Sequence, residues 1–173
     1  MTIQTTLLVI SDRAATGERA DLTADALRPV LLERGFVLAE VGIVPDERAE
    51  IAAAIRAAAA HSALVLTTGG TGVSARDVTP EATRDVIEYE IPGLGEEMRR
   101  QSLGKTPHAL GSRALGGVLG PAVVLNLPGR PGGAVECFGF VAAALPHLSA
   151  VRRGPVSDQS HLPGPGTSAH TPG

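Results

Sequence analysis

The stretch Leu64-Val65-Leu66-Thr67-Thr68-Gly69-Gly70-Thr71-Gly72-Val73-Ser74-Ala75-Arg76-Asp77-Val78-Thr79-Pro80 decides the fold. Its start belongs to the apolar run Ala63 to Leu66, the mark of a short buried strand. The chain then breaks into Thr67-Thr68-Gly69-Gly70-Thr71-Gly72, where glycine lets the backbone take positive φ and come close to a ligand. Amides left bare by glycine can line an anion site. Arg76 and Asp77 follow, and Thr79-Pro80-Glu81 reads as a helix start, with Thr as N-cap, Pro at the first position and an acid in the first turn. Strand, glycine loop, charged pair and helix, in that order, suit a phosphorylated ligand. The common nucleotide fingerprints are absent, because no Lys-Ser or Lys-Thr follows the glycines and the spacing is not Gly-x-Gly-x-x-Gly. A strand-to-helix turn can also carry glycine for packing alone, so the neighbours have to be read.

Upstream, Thr6 to Ile10 is an apolar run that ends at Ser11-Asp12-Arg13, a buried strand with a polar loop at its C-terminal end. A helix is predicted from near Asp21 or Thr23, either of which can cap it, with Leu27, Val30 and Leu31 on its inner face and Gly35 as its stop. Phe36 to Val44 is a second strand. Asp46 follows Pro45 where an N-cap belongs, ahead of Ile51, Ala52, Ile55, Ala58 and Ala59; capping is the simpler reading, and a helix N-terminus is also an anion site.

Downstream, a helix is predicted over Thr79 to Glu90, broken by Pro92-Gly93, then a short helix through Leu94, Met98 and Leu103. Gly116 to Pro121 reads as a turn or hairpin, and Ala122 to Leu125 as a further buried strand ending in the stiff loop Asn126-Leu127-Pro128-Gly129-Arg130-Pro131. Val135 to Leu148 is predicted as one last helix, apolar on most sides. Residues 1–153 make one domain. Residues 154–173, Pro, Gly, Ser and His with few apolar side chains, are expected to be a disordered tail.

Strands alternating with helices predict an α/β fold, a three-layer α/β/α arrangement around a mainly parallel sheet. In such a sheet, ligands bind beyond the C-terminal strand ends. Four loops with polar or glycine chemistry follow strands here, which favours one shared site over four accidents.

The 173 residues carry a net charge of −3, and Lys105 is the only lysine. That balance speaks against a nucleic-acid binder, and the four aromatics Phe36, Tyr89, Phe138 and Phe140 make no stacking platform. Cys137 is the only cysteine, and a core role suits it. No run reaches the roughly 20 apolar residues that span a bilayer, and the first residues show no secretory pattern. The expectation is a cytoplasmic protein with neither membrane nor nucleic-acid partner.

Thr67-Thr68-Gly69-Gly70-Thr71-Gly72 with Arg76-Asp77-Val78-Thr79-Pro80-Glu81-Ala82-Thr83 resembles the molybdopterin-binding domain of molybdenum cofactor biosynthesis. Pro92-Gly93-Leu94, Met98, Ser102-Leu103, Thr106-Pro107, Ser112-Arg113, Asn126-Leu127-Pro128-Gly129-Arg130-Pro131 and Glu136-Cys137 extend the likeness over about Leu7 to Arg152. It is greatest to the molybdopterin adenylyltransferase branch, which includes the gephyrin G domain.

The resemblance implies a homotrimer that transfers AMP from ATP to molybdopterin with Mg²⁺, releases pyrophosphate and supplies a molybdenum insertase. It implies Asp46 and Asp77 as catalytic acids and metal ligands. It places Ser11, Asp12, Thr68, Gly69, Gly70, Thr71, Gly72, Ser102, Ser112, Asn126, Pro128 and Gly129 against the substrates. Taken alone, Ser102 and Ser112 also suit caps or turns, and Asn126 a turn. One departure stands out: Asp21-Leu22-Thr23-Ala24 replaces the family's glycine-bearing turn, and alanine does not readily take positive φ.

In the implied reaction two polyanions must meet, so the protein has to position and neutralise. The amides of Gly69, Gly70 and Gly72 suit phosphate oxygens. Asp46 and Asp77 suit Mg²⁺, with Asp12 a weaker third. Arg13, Arg76 and Arg130 can add positive charge, or Arg76 can pair with Asp77. Two other readings stay open: a non-catalytic pterin-binding scaffold, and a generic nucleotide-binding module of the flavodoxin kind.

Overall fold

The computed structural model describes residues 2–18 and 20–154. The predicted disordered tail therefore lies, from residue 155 on, outside the described residues. Six strands form one sheet: β1 (Ile3–Ile10), β2 (Phe36–Val44), β3 (Leu64–Thr68), β4 (Tyr89–Glu90), β5 (Gly116–Leu119) and β6 (Ala122–Leu127). Their order is β2-β1-β3-β6-β5-β4, with β2, β1, β3 and β6 parallel and the β4 and β5 pairings antiparallel. The mainly parallel sheet is as predicted, and Gly120 at φ 53° makes the predicted β5–β6 hairpin turn.

The layers follow from the period of two along each strand. Leu7 and Val9, Leu64 and Leu66, and Val123, Leu125 and Leu127 pack with Leu27, Leu31, Phe138 and Leu145 on one face. Leu8 and Ile10, Val65 and Val124 pack with Ile51, Ile55, Ala82 and Val86 on the other. Buried runs with no polar alternation are what a sheet covered on both faces requires. The first face carries α2 (Thr23–Glu33), α5 (Pro92–Leu103), α6 (Pro131–Val141) and α7 (Leu145–Arg153). The second carries α3 (Arg48–Ala59) and α4 (Thr79–Arg84).

Several expectations are corrected. The last helix is two, α6 and α7, bent by 66°. Pro146 has no N–H to continue the ladder, and an all-apolar sequence gives periodicity nothing with which to mark the break. α4 ends at Arg84, and Tyr89–Glu90 joins the sheet edge instead of extending it. Thr79 is not an N-cap: it is the first residue of α4, and its hydroxyl donates to the Gly69 carbonyl at 2.9 Å. A four-residue helix, α1 (Asp12–Ala15), follows β1, with Ser11 as its N-cap. Ala24 lies inside α2, where no positive φ is needed, and Asp21 accepts from its amide at 3.2 Å. The departure from the family's glycine turn is thus absorbed by starting the helix there. No single described helix is long and apolar enough to cross a membrane.

Candidate active site

From β1 the chain connects outward to β2 on one side, then crosses back over β1 through α3 to β3 on the other, so a crevice opens between the C-terminal ends of β1 and β3. The glycine loop emerges there. Gly69 and Gly70 have φ of 104° and 62°. A Cβ on Gly69 would run into the Ile10 carbonyl, and one on Gly70 into the Thr79 hydroxyl and, at 3.2 Å, Asp46 Oδ1. Both backbone angle and space therefore demand glycine.

Beneath the loop lies a buried neutral network. Thr67 and Asn126 face each other in the β3–β6 register. Asn126 Nδ2 donates to Thr67 Oγ1 and Thr83 Oγ1, both at 2.9 Å. Thr83 Oγ1 donates to the Thr79 carbonyl at 2.8 Å, and the Thr79 amide reaches the Gly70 carbonyl at 3.1 Å. Asn126 is thus a strand residue with a fully buried side chain, neither a turn residue nor a wall of the cleft. Its place is under the loop, in the network that shapes it.

The Gly69 amide is committed to the Leu127 carbonyl at 3.2 Å, which removes it from the predicted phosphate donors. Thr68 Oγ1 donates to the Pro128 carbonyl at 2.7 Å, tying the ends of β3 and β6 together. Among the described residues, the amides of Gly70, Thr71 and Gly72 have no protein acceptor.

The two acids flank these amides. Asp46 Oδ1 lies by Gly70, and Asp77 Oδ2 is 2.9 Å from where a Gly72 Cβ would stand. Asp46 is not a helix cap; Glu47 precedes α3 and makes no side-chain cap. Instead Asp46 and Asp12 trade bonds across the β1 and β2 ends: the Asp12 amide donates to Asp46 Oδ2 and the Asp46 amide to Asp12 Oδ1, each at 2.9 Å. Burial pushes the Asp46 carboxyl above the ordinary aspartate range, against the opposing Asp12 amide and Arg76, and the Asp12 and Asp77 charges add to the rise. The Asp46 amide and Arg76 hold Asp12 below that range. Arg76 pairs with Asp12 and Glu47, at 2.8 and 2.9 Å, and not with Asp77. Asp77 Oδ2 accepts from the Ser74 amide at 2.8 Å.

Two cavities meet at this loop. One, of about 580 Å³, fills the crevice and is lined by Ser11, Asp21, Thr23, Thr68, Gly70 and Asp77. The other, of about 780 Å³, opens between α5, a 3-10 helix (Pro107–Gly111) and α6, and is lined by Ser102, Lys105, His108, Ser112, Pro128 and Cys137 among others. Thr71, Gly72, Gly129 and Arg130 line both. Ser102 and Ser112, which also suited caps or turns, face the larger cavity. Cys137 is buried as expected, yet borders that cavity 3.7 Å from the Ser102 hydroxyl. Arg130 lines both cavities, whereas Arg13 lines neither. Lys105 and His108 carry no sequence signal for the site, and Arg113 stands in the Ser112-Arg113 motif without an assigned role; their neighbours come only from the fold.

A cleft of two adjoining cavities at the C-terminal edge of a doubly wound sheet, with unpaired loop amides between two acids, is the architecture of an α/β ligand-binding protein. Its family is also clear: residues 6–147 match the model described as the probable molybdopterin binding domain, and the chain belongs to that family. It is 41% identical over 150 residues to a molybdopterin adenylyltransferase of Helicobacter pylori strain J99, spanning 84% of this chain and 85% of that one. It is 44% identical over 135 residues to the molybdopterin adenylyltransferase of Escherichia coli K12, spanning 75% and 69%. The crystal structure of the molybdopterin biosynthesis enzyme MoaB from Thermus thermophilus superposes with a TM-score of 0.83 at 43% identity, covering 89% of this chain and 98% of that one.

Proposed function

We propose that this protein is a molybdopterin adenylyltransferase: it transfers AMP from ATP to the terminal phosphate of molybdopterin and releases pyrophosphate. The observation that carries the reading is the pair of cavities joined at Thr71, Gly72, Gly129 and Arg130. A one-ligand module needs one pocket; a transferase needs two that open onto the same reacting atoms. The crevice cavity, beside the Asp21 to Thr23 loop, takes the nucleotide, and the cavity beside Ser102 and Ser112 takes the pterin.

The pterin phosphate is already a nucleophile. One of its oxygens bonds to the α-phosphorus as the bond from that phosphorus to the bridging oxygen of the leaving pyrophosphate breaks. The chain's work is to align and neutralise. The amides of Gly70, Thr71 and Gly72 donate to phosphate oxygens, and Arg130 at the junction adds positive charge.

The donor set suits Mg²⁺ brought in with the substrate. Asp12 has both oxygens engaged, one by the Asp46 amide and one by Arg76, which removes it as a ligand. Asp46 and Asp77 each have one oxygen bound to a backbone amide and keep the other for a cation. Among the described residues no group of three His, Cys, Asp or Glu side chains could hold a metal. Two carboxylates completed by phosphate oxygens are the usual Mg²⁺ arrangement. The ion would supply positive charge between the two polyanions.

The reading includes a cytoplasmic homotrimer whose product passes to a molybdenum insertase. Exposed Leu32, Val41 and Ile43 are apolar surface that assembly would cover; a sedimentation mass of three chains would support it, and one chain would contradict it. The deciding assay incubates purified protein with molybdopterin, ATP and Mg²⁺ and looks for adenylyl-molybdopterin and pyrophosphate. Product is expected. Pterin binding without product would instead mark a scaffold, and nucleotide binding without any pterin binding a generic module.

A further inference from the structure

Arg113 lines neither cavity, yet it bonds to the glycine loop, to Asp77 and to α4. It sits between the 3-10 helix and β5. Its amide donates to the Thr71 carbonyl at 2.9 Å. Its guanidinium then donates in three directions: Nε to the Gly72 carbonyl at 2.6 Å, Nη2 to the Asp77 carbonyl, and Nη1 to Glu81 Oε1. The first two acceptors bracket the segment from Gly72 to Asp77, and the amide bond adds Thr71. The third lies in the first turn of α4. One residue thus spans the bare amides at one end of the loop and the acid at the other.

We propose that Arg113, oriented by Glu81, is a positioning residue for nucleotidyl transfer, setting the separation between the glycine-loop amides and Asp77. The inference rests on the reading of the site as an adenylyltransferase centre. The loop carries the phosphate donors at Gly70 to Gly72 and a metal-binding acid at residue 77, five residues later. Within that span the turn at Ser74 is local and Arg76 ties outward to Asp12 and Glu47, whereas the Arg113 fork joins the two ends directly. Main-chain carbonyls are the acceptors, so the fork holds the backbone directly. Lysine cannot reproduce it, because an ammonium lacks three donors fixed in one plane. Glu81 is the counterpart: among the described residues its buried Oε2 has no hydrogen-bond partner, so its carboxylate is directed at Arg113 alone.

The test compares wild type, Arg113→Lys, Glu81→Gln and the double variant. A misplacement of about 1 Å at a reacting centre can cost about a hundredfold in rate. Arg113→Lys is expected to lower kcat by about 10- to 100-fold, on the same alignment argument. KM for ATP and pterin should move by less than about threefold, because alignment rather than binding is lost. Glu81→Gln should fall between, and the double variant should be no worse than Arg113→Lys, as expected of residues acting as one unit. In ligand-free protein, amide hydrogen exchange should quicken at the bonded amides of Ser74, Asp77 and residue 113 in Arg113→Lys and stay unchanged in α3. A kcat that falls only as the folded fraction falls, or multiplicative losses in the double variant, would overturn the proposal. Wild-type protein that makes no product would contradict the adenylyltransferase reading instead. The clamp would then stand or fall on exchange, and unchanged protection at Ser74, Asp77 and residue 113 would overturn it.

Discussion

The glycine loop is held from two sides, and the two sides use different physics. Its underside rests on Thr67, Thr79, Thr83 and Asn126, all buried and joined by neutral hydrogen bonds. Its outer side meets Asp12, Asp46, Glu47 and Arg76, half-buried to exposed and joined by charge. A neutral buried network is indifferent to salt and, across the carboxylate range, to pH, so it sets the shape of the loop. A charged, partly solvated cluster answers to both, so it sets the charge that the loop presents to a ligand. Separating the two lets one loop be rigid in shape and adjustable in charge.

The comparison breaks most visibly at Asp77, which belongs to the charged side yet rests its backbone on neither network. Asp77→Ala is expected to abolish turnover and leave the folded state intact, as read by circular dichroism and the melting temperature. Near-wild-type activity would remove this acid from the chemistry.

The underside should give the opposite pattern. Asn126→Ala removes the donor to the Thr67 and Thr83 hydroxyls, the second of which keeps its bond to the Thr79 carbonyl, and opens a small void, at a cost of about 1–3 kcal/mol for the lost buried bonds. Thermal denaturation should show the loss at every ionic strength, and activity should fall with loop order. A variant with unchanged stability would mean that the network does not carry the loop.

The pH response sharpens the difference. The folded Asp46 carboxyl binds its proton more tightly than its ordinary value of 3.8, chiefly through burial. Its ionisation therefore weakens the fold as pH rises through the window above 3.8. Asp12 runs the other way: held low by the Asp46 amide and Arg76, it adds stability above 3.8 that is lost as pH falls through its depressed pKa. If Asp46 serves as the proposed metal ligand, turnover needs its ionised form, and the acid limb of kcat/KM should lie above 3.8. Arg76→Gln removes a charge that lowers both carboxyls, and should move that limb upward. Its effect on the melting temperature should be the smallest of the series, since exposed ion pairs contribute little. A limb that Arg76→Gln does not move would detach Asp46 from the pH dependence.

Against these two regions, the reach of the sequence is easy to place. The buried strands were legible because runs such as Leu7 to Ile10 and Val123 to Leu125 are apolar without alternation. The edge at which polar loops gather was legible from their order. The glycine loop announced itself through residues that only a special backbone needs. What stayed hidden depends on pairings between distant segments. Asp46 has the local look of a cap and is instead bonded to Asp12, 34 residues away. Asn126 has the look of a turn residue and is buried because β6 runs two residues past its apolar run. The bend between α6 and α7 lies in Ala142-Ala143-Ala144, where every face is apolar. Arg113 stands out in the sequence only as part of Ser112-Arg113, and its work shows once the fold sets three acceptors around its guanidinium.

The central claim is that two phosphorylated ligands meet at Gly70 to Gly72 between Asp46 and Asp77. A crystal structure with Mg²⁺ and a non-hydrolysable ATP analogue, then with molybdopterin added, tests it most directly. The account predicts the α-phosphate on those amides, the cation held by both acids, and the pterin phosphate entering from the cavity beside Ser102 and Ser112. Nucleotide phosphates bound elsewhere on the molecule, with the glycine amides facing only solvent, would contradict it.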